Sequence, residues 1–305
     1  MTRKFLWGMV VVLLLTNLTT LLVWLNTDKA PSENPNNKLR QPVAASEEEV
    51  VASIGDESIL HQNWLTMLEK RHGKTVLEEL INKEVVFRLA EEKGIQLNDK
   101  VMERELALME TMLGVTSDSK LKEKRKTWQE QVRYNYLLEE LMTQDIGIEE
   151  KKIKDYYEEY KDQYDFQKSF QFSHIVVSTE GEAKKVAKEL EDGSSFEILA
   201  REYSTDSSTR GSGGYLGYFS KDSSYVPDEY FKRAQKLSAG SYSDPFETDQ
   251  GYVLLYVHRM LPKINISYED VKQHIKRQLA LDYVGDSVSV KTLWDDVGVE
   301  WFYGD

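Results

Sequence analysis

The clearest feature in the distribution of apolar and polar positions comes first. Residues 5–25, FLWGMVVVLLLTNLTTLLVWL, are 21 uncharged residues in a row, enough to cross a hydrocarbon core of about 30 Å as a helix. Residues 26–46, NTDKAPSENPNNKLRQPVAAS, have no apolar period and are rich in Asn, Pro and Ser. Such a segment cannot bury enough surface to fold, and it reads as a tether. Beyond it, VVASIGDESI (50–59) surrounds a Gly-Asp pair and predicts two short strands. A 3.6-residue period follows. Trp64, Leu65 and Leu68 share one helix face, and Leu77, Leu80, Ile81, Val85 and Leu89 share the next, closed by Lys93 and Gly94. Further stripes predict helices over 98–113, 121–144 and 149–164, the last carrying Ile153, Tyr156, Tyr157, Tyr160 and Tyr164 on one face.

From residue 169 the pattern changes. A strand over 170–178 leads to a helix with Ala183, Val186, Ala187 and Leu190 on one face. A second helix carries Phe196, Leu199, Ala200 and Tyr203, with Ser194 and Glu197 spaced as a capping box. The glycine-studded loop STDSSTRGSGGYLGYF comes next, then a helix opened by Pro227 at its first position, then strands near 243–247 and 251–259. Afterwards Ser267 and Asp270 mark another helix start, and VGVEWFYGD at the end reads as a strand. The domains expected are a cytoplasmic N-terminus (1–4), an anchor (5–25), a tether (26–46) and a helical lobe (47–165). A compact unit (168–262) and a helix plus strand that complete the lobe (263–305) follow. The fold class is α+β, with a small antiparallel sheet and its helices inserted in a mainly helical lobe, preceded by one transmembrane helix.

Charge and composition narrow the function. A net charge of −13 argues against nucleic acid, because little in the chain would neutralise phosphates. The absence of cysteine excludes disulfides, thiolate catalysis, cysteine metal sites and a lipid-modified cysteine. Arg3 and Lys4 before the apolar span place the N-terminus in the cytoplasm and the bulk of the chain on the extracytoplasmic side of the cell membrane. The competing reading is a cleaved signal. The span exceeds the usual h-region of about 7–15 residues, which favours an anchor in contact with the bilayer through 5–25. One residue stands out in the compact unit. FSHIVVS (172–178) sets His174 into an apolar strand, where it is either a core histidine or a group facing a pocket.

The compact unit resembles the parvulin-type peptidyl-prolyl cis/trans isomerases. FSHIVVS, SSFEILAREYSTDSS (194–208), GGYLGYF (213–219) and SAGSYSDPFETDQGY (238–252) carry the resemblance, in the family's order and spacing. The flanks resemble the membrane-attached extracytoplasmic foldases of the PrsA type and their SurA-like relatives, through VVASIGDESI, LEELINKEVVFRLAEEKGIQL and SYEDVKQHIKRQL. The resemblance implies an isomerase without metal or cofactor, acting on unfolded or partly folded exported proteins with X–Pro bonds. It puts the active-site histidine on His174 and the acidic position on Asp206. The wall that receives the proline ring falls on Leu216, Val226 and Tyr230, where the family usually has Leu, Met and Phe. Two departures stand out: Val253 occupies the place of a second family histidine, and Tyr215 replaces an acidic residue. His258 lies five residues along the strand from Val253 and is expected to point to the opposite face. A histidine introduced at Val253 is expected to raise a low rate.

The chemistry is modest. An X–Pro bond turns over a barrier of about 20 kcal/mol, taking roughly tens to hundreds of seconds unaided. The planar amide is more dipolar than the twisted one, so an apolar pocket removes water's bias toward the planar state. Two readings follow: an isomerase that speeds folding, and a holdase that has lost activity and binds unfolded segments on the same fold.

Overall fold

The computed structural model describes residues 49–284 and 289–304. The expected anchor and tether, 5–25 and 26–46, lie outside the described residues. Among the described residues no helix is long and apolar enough to cross a membrane.

Two compact units divide the chain at Lys74. In the first, β1 (Val50–Ile54) and β2 (Glu57–Leu60) form an antiparallel hairpin. Its turn holds Gly55 at φ +61°, a conformation that costs a glycine nothing. The helix α1 (His61–Leu68) continues through a π-helical turn over Glu69–Gly73. Every residue of β1 is exposed, and so are Trp64, Leu65, Met67 and Leu68.

The second unit begins at Thr75, within the first turn of α2 (Lys74–Glu92). As the sequence predicts, Gly94 ends it in the left-handed region at φ +65°. The amide of Ile95 donates to the Ala90 carbonyl at 2.8 Å and that of Gly94 to Glu91 at 3.1 Å, which satisfies the last turn. Then come α3 (Asp99–Thr111), capped by Asn98, α4 (Asp118–Thr143), capped by Ser117, and α5 (Glu150–Tyr160). These helices share their cores with the end of the chain. Val101, Ile153 and Tyr164 pack with Val271 and Ile275 of α9 (Tyr268–Val284). Ser267 and Asp270 cap α9 reciprocally, at 3.0 and 3.3 Å, and the same Asp270 carboxylate takes Lys100 Nζ from α3 at 2.7 Å.

Three local expectations change. The terminal VGVEWFYGD is not a strand. Trp294–Val297 form a short helix, α10, ended by Gly298 at φ +66°. Val297, Val299 and Trp301 alternate because they pack on the cluster of α2 and α4, and Trp294 Nε1 donates to Asn82 Oδ1 at 2.7 Å. The Ser194–Glu197 capping box is not formed: Ser195 is the cap residue of its helix and makes no side-chain cap bond. A full capping box sits one helix earlier, between Thr179 and Glu182. Pro227 is the cap rather than the first residue of the helix Asp228–Ala234.

Between these helices lies a five-stranded antiparallel sheet. Its strands are β3 (Ser169–Val177), β4 (Tyr215–Ser220), β5 (Ser241–Tyr242), β6 (Phe246–Thr248) and β7 (Gly251–Leu261). The order is β4-β3-β7-β5, with β6 also paired to β7. All nine residues of β3 are buried, so its period of two sorts side chains between two cores rather than between core and water. Phe170, Phe172 and Val176 join Tyr230, Phe231 and Ala234 of α8 (Asp228–Ala234). Ile175 and Val177 meet α6 (Glu180–Glu191) and α7 (Phe196–Tyr203) on the other face.

Candidate active site

His174 sits on the central strand, on the face of Phe172 and Val176, and is only 5% exposed. Two backbone features hold it there. Its amide donates to the Gly214 carbonyl at 2.9 Å, where the glycine loop returns to the sheet. A Cβ on Gly214 would lie 2.0 Å from the His174 carbonyl oxygen, and φ is +77° there, so only glycine fits. The edge of β3 beyond the β4 pairing is closed by the loop 204–206. Thr205 N donates to the Val176 carbonyl at 2.7 Å, and Val176 N donates to Ser204 Oγ at 3.3 Å. That clamp carries the next residue, Asp206, to the histidine.

The result is a closed hydrogen-bond network. His174 Nε2 lies 2.8 Å from Asp206 Oδ2 and 3.0 Å from Thr209 Oγ1, and Thr209 Oγ1 donates to the same Oδ2 at 2.5 Å. Ser208 caps the other carboxylate oxygen with its amide, at 3.1 Å, and with its hydroxyl. At the opposite side of the ring, Nδ1 lies 2.7 Å from the Tyr230 hydroxyl. Partial burial pushes the Asp206 carboxyl up, but hydrogen bonds from Ser208, Thr209 and His174 overcome it and hold the group well below the usual carboxylate range. Burial pulls His174 below its ordinary value, against the opposing influence of Asp206. Burial, with the Asp206 charge second, pushes the Tyr230 phenol up. At neutral pH the set is therefore one carboxylate, one neutral imidazole and one phenol.

An apolar wall adjoins the network. Tyr230 and Val226 belong to one buried cluster with Phe172, Phe246 and Leu255, and the half-buried Leu216 and Phe219 pack against it. All five residues marked by the sequence are thus gathered on one face of one sheet. Tyr230 enters in an unexpected manner. Its ring is 2% exposed, edge-on to Phe172 and Phe246, and it reaches the site through its hydroxyl. Sequence reasoning also missed Thr209 and Ser208. Their signal was the run of hydroxyl residues after Asp206, which a Ser/Thr-rich loop disguises.

The two departures are equally definite. Val253 pairs with Val176 and Phe246 and is fully buried in the apolar cluster. His258 is the extra residue of a bulge in β7, since Gln171 pairs with Arg259 and Phe172 with Val257. It lies on the opposite face, with Nε2 2.8 Å from Ser173 Oγ and its ring against Tyr256. Tyr215 donates to the Leu113 carbonyl at 3.0 Å, linking the sheet to the α3–α4 loop. Among the described residues no cluster of histidine and carboxylate groups is placed to hold a metal ion.

A small antiparallel sheet flanked by helices, with a buried histidine–carboxylate network beside an apolar wall, defines a parvulin-like rotamase domain. Residues 148–273 match the PPIC-type PPIase domain. The putative peptidyl-prolyl cis-trans isomerase YacD of Bacillus subtilis is 38% identical, over 87% of this chain and 89% of that one. The foldase protein PrsA of Geobacillus kaustophilus is 30% identical, over 83% of this chain and 86% of its own. The crystal structure of PrsA from Bacillus subtilis aligns over 83% of this chain and 93% of that one, at 29% identity and a TM-score of 0.30. The chain belongs to the PPIC-type peptidyl-prolyl cis-trans isomerases.

Proposed function

We propose that the chain is an active prolyl isomerase and foldase, held at the extracytoplasmic face of the cell membrane by residues 5–25. Its clients would be unfolded or partly folded exported proteins carrying X–Pro bonds. The observation that carries the activity is the closed His174–Asp206–Thr209–Tyr230 network set against an apolar wall. Both oxygens of Asp206 are occupied and the group is held ionised, so it does not act as a base. It acts as a fixed charge at the edge of an apolar surface. An X–Pro amide seated against Leu216 and Val226 leaves water behind, and the planar amide loses the stabilisation that water gives its dipole. No nucleophile is required. Each reduction of about 1.4 kcal/mol in the barrier is roughly tenfold in rate.

The uncharged span behind Arg3 and Lys4 supports the anchor. Fractionation with N-terminal sequencing tests it, and a soluble product beginning near Ala45 contradicts it. Shared packing of α3, α5 and α9 supports a helical lobe in which the helices before the isomerase unit 168–262 and the segment after it, 263–305, fold together. On that reading a 168–262 fragment folds cooperatively by itself, while 46–262 aggregates because its lobe has lost α9. A soluble, monomeric, cooperatively folded 46–262 fragment contradicts it.

A holdase that binds clients without catalysis is the second reading. Val253 at the place of the second family histidine favours it, and so do the exposed Val50, Val51, Ile54, Trp64, Leu65 and Met67. A protease-coupled assay of proline isomerisation on a chain beginning at residue 46 separates the two. The isomerase reading predicts acceleration at catalytic concentrations. Suppression of client aggregation with no acceleration supports the holdase.

A further inference from the structure

The network contains a residue that belongs to both halves of the site. Tyr230 places its ring in the apolar cluster and its hydroxyl 2.7 Å from His174 Nδ1. Thr209 stands at the other side of the imidazole, 3.0 Å from Nε2, with its own hydrogen given to Asp206. Both residues are nearly closed to solvent, at 2% and 9% exposure, so neither presents a free surface to a client.

The donors and acceptors can be counted. An ionised carboxylate only accepts, so Nε2 carries the hydrogen directed at Asp206. Nδ1 is then the acceptor, and among the described residues the phenol is the donor placed against it. Thr209 donates to Asp206, which turns its oxygen lone pairs toward Nε2–H. The carboxylate therefore disfavours the alternative tautomer, which would set a bare Nε2 against it, and the two hydroxyls complement the tautomer that remains, the phenol by donating to Nδ1 and Thr209 by accepting from Nε2–H. Val253, on the same face, is an aliphatic side chain and offers Nδ1 no partner.

We propose that Tyr230 and Thr209 are positioning residues for the isomerase, two hydroxyls that fix the plane of His174 and complement the tautomer that Asp206 selects. Through Tyr230 the orientation of the ring is tied to the apolar wall, so the polar network and the wall move as one piece. The proposal rests on the isomerase reading for its effect on rate, but not for its effect on the imidazole.

The test is Tyr230→Phe and Thr209→Val in the full chain, with Thr209→Ser as the conservative control. Isomerisation of an X–Pro peptide is followed at matched folded fraction, and the His174 ring nitrogens are read by NMR after ¹⁵N-histidine labelling. In Tyr230→Phe the Nδ1 resonance moves to that of an unbonded imine nitrogen, and kcat falls about tenfold with KM little changed. Thr209→Val lowers kcat in the same way, and Thr209→Ser restores it. An unchanged Nδ1 resonance, an unchanged kcat, or a loss confined to KM overturns the proposal. If the wild type is inert, the isomerase reading fails on its own. The nitrogen resonances from the same samples then decide whether the two hydroxyls hold the ring: a shifted Nδ1 in Tyr230→Phe sustains that part, and an unshifted one ends it.

Discussion

His174 and His258 lie on neighbouring strands, on opposite faces of one sheet. Each has a nitrogen 2.8 Å from a polar partner, Asp206 for the first and Ser173 for the second. Both are drawn below the ordinary histidine value, in each case chiefly by burial. The difference is in the company. His174 has a carboxylate at one nitrogen and a phenol at the other, with an apolar wall alongside. His258 has a serine, a tyrosine ring and the adjacent Arg259, whose charge lowers it further, to about 4. Burial alone makes a histidine neutral. It takes a second partner at the other nitrogen to give the ring a direction, and of the two, among the described residues, His174 has one.

The comparison can be broken most forcefully through the backbone. Gly214→Ala puts a methyl group 2.0 Å from the His174 carbonyl oxygen at a positive φ, and we expect a loss of at least about 3 kcal/mol by urea denaturation. A stability change under about 1 kcal/mol would show that the loop does not fix the strand. A smaller effect is expected from Val253→His. The site is fully buried among apolar groups, so the new imidazole costs about 1–3 kcal/mol unless it finds a hydrogen bond. Because Tyr230 already occupies Nδ1, the rate gain anticipated from the sequence should not appear. A clear rise in kcat/KM would contradict this.

Changing the pH sharpens the contrast with less disturbance. An unfolded histidine takes up its proton near about 6.5, whereas folded His258 resists until about 4 and His274, buried near Arg277 and Arg104, until about 3. Their folded values are depressed, so the folded state binds fewer protons than the unfolded state across that window. Stability is therefore full above about pH 6.5 and falls as the pH drops toward 4 and then 3. His174 is also depressed, so kcat/KM should stay level from pH 8 down through 6.5. Thermal melts and rates over one pH series check both, and an activity step at pH 6.5 would mean that His174 is open to protonation.

The smallest effect belongs to the far face. His258→Gln keeps a group able to meet Ser173 and should leave kcat/KM within about twofold, since surroundings away from the site leave the barrier alone. A tenfold loss would erase the distinction between the two faces.

Much of this site was legible in the sequence. The family resemblance carried by FSHIVVS and the hydroxyl-rich loop brought His174 and Asp206 together, and the period of two along the strand set His258 apart. Two things were not legible. A phenol at position 230 reads as wall, because periodicity reports which face a residue takes and not where its hydroxyl ends. Thr209 was hidden among its neighbours, because choosing it over Ser207 needs the turn geometry that Asp206 and Gly214 impose. The terminal strand failed for a related reason. Val297, Val299 and Trp301 keep a period of two, but the surface that receives them is made of helices.

The central claim is that the His174 face does the work of isomerisation. It is tested most directly by Asp206→Ala, whose side chain is partly exposed and contributes little packing. Isomerisation by wild type and variant should be compared at matched folded fraction. The account predicts a fall in kcat/KM of about thirtyfold, or about 2 kcal/mol, with a stability loss smaller than that. Equal rates in the two proteins, or a wild type that does not accelerate isomerisation at all, would contradict it.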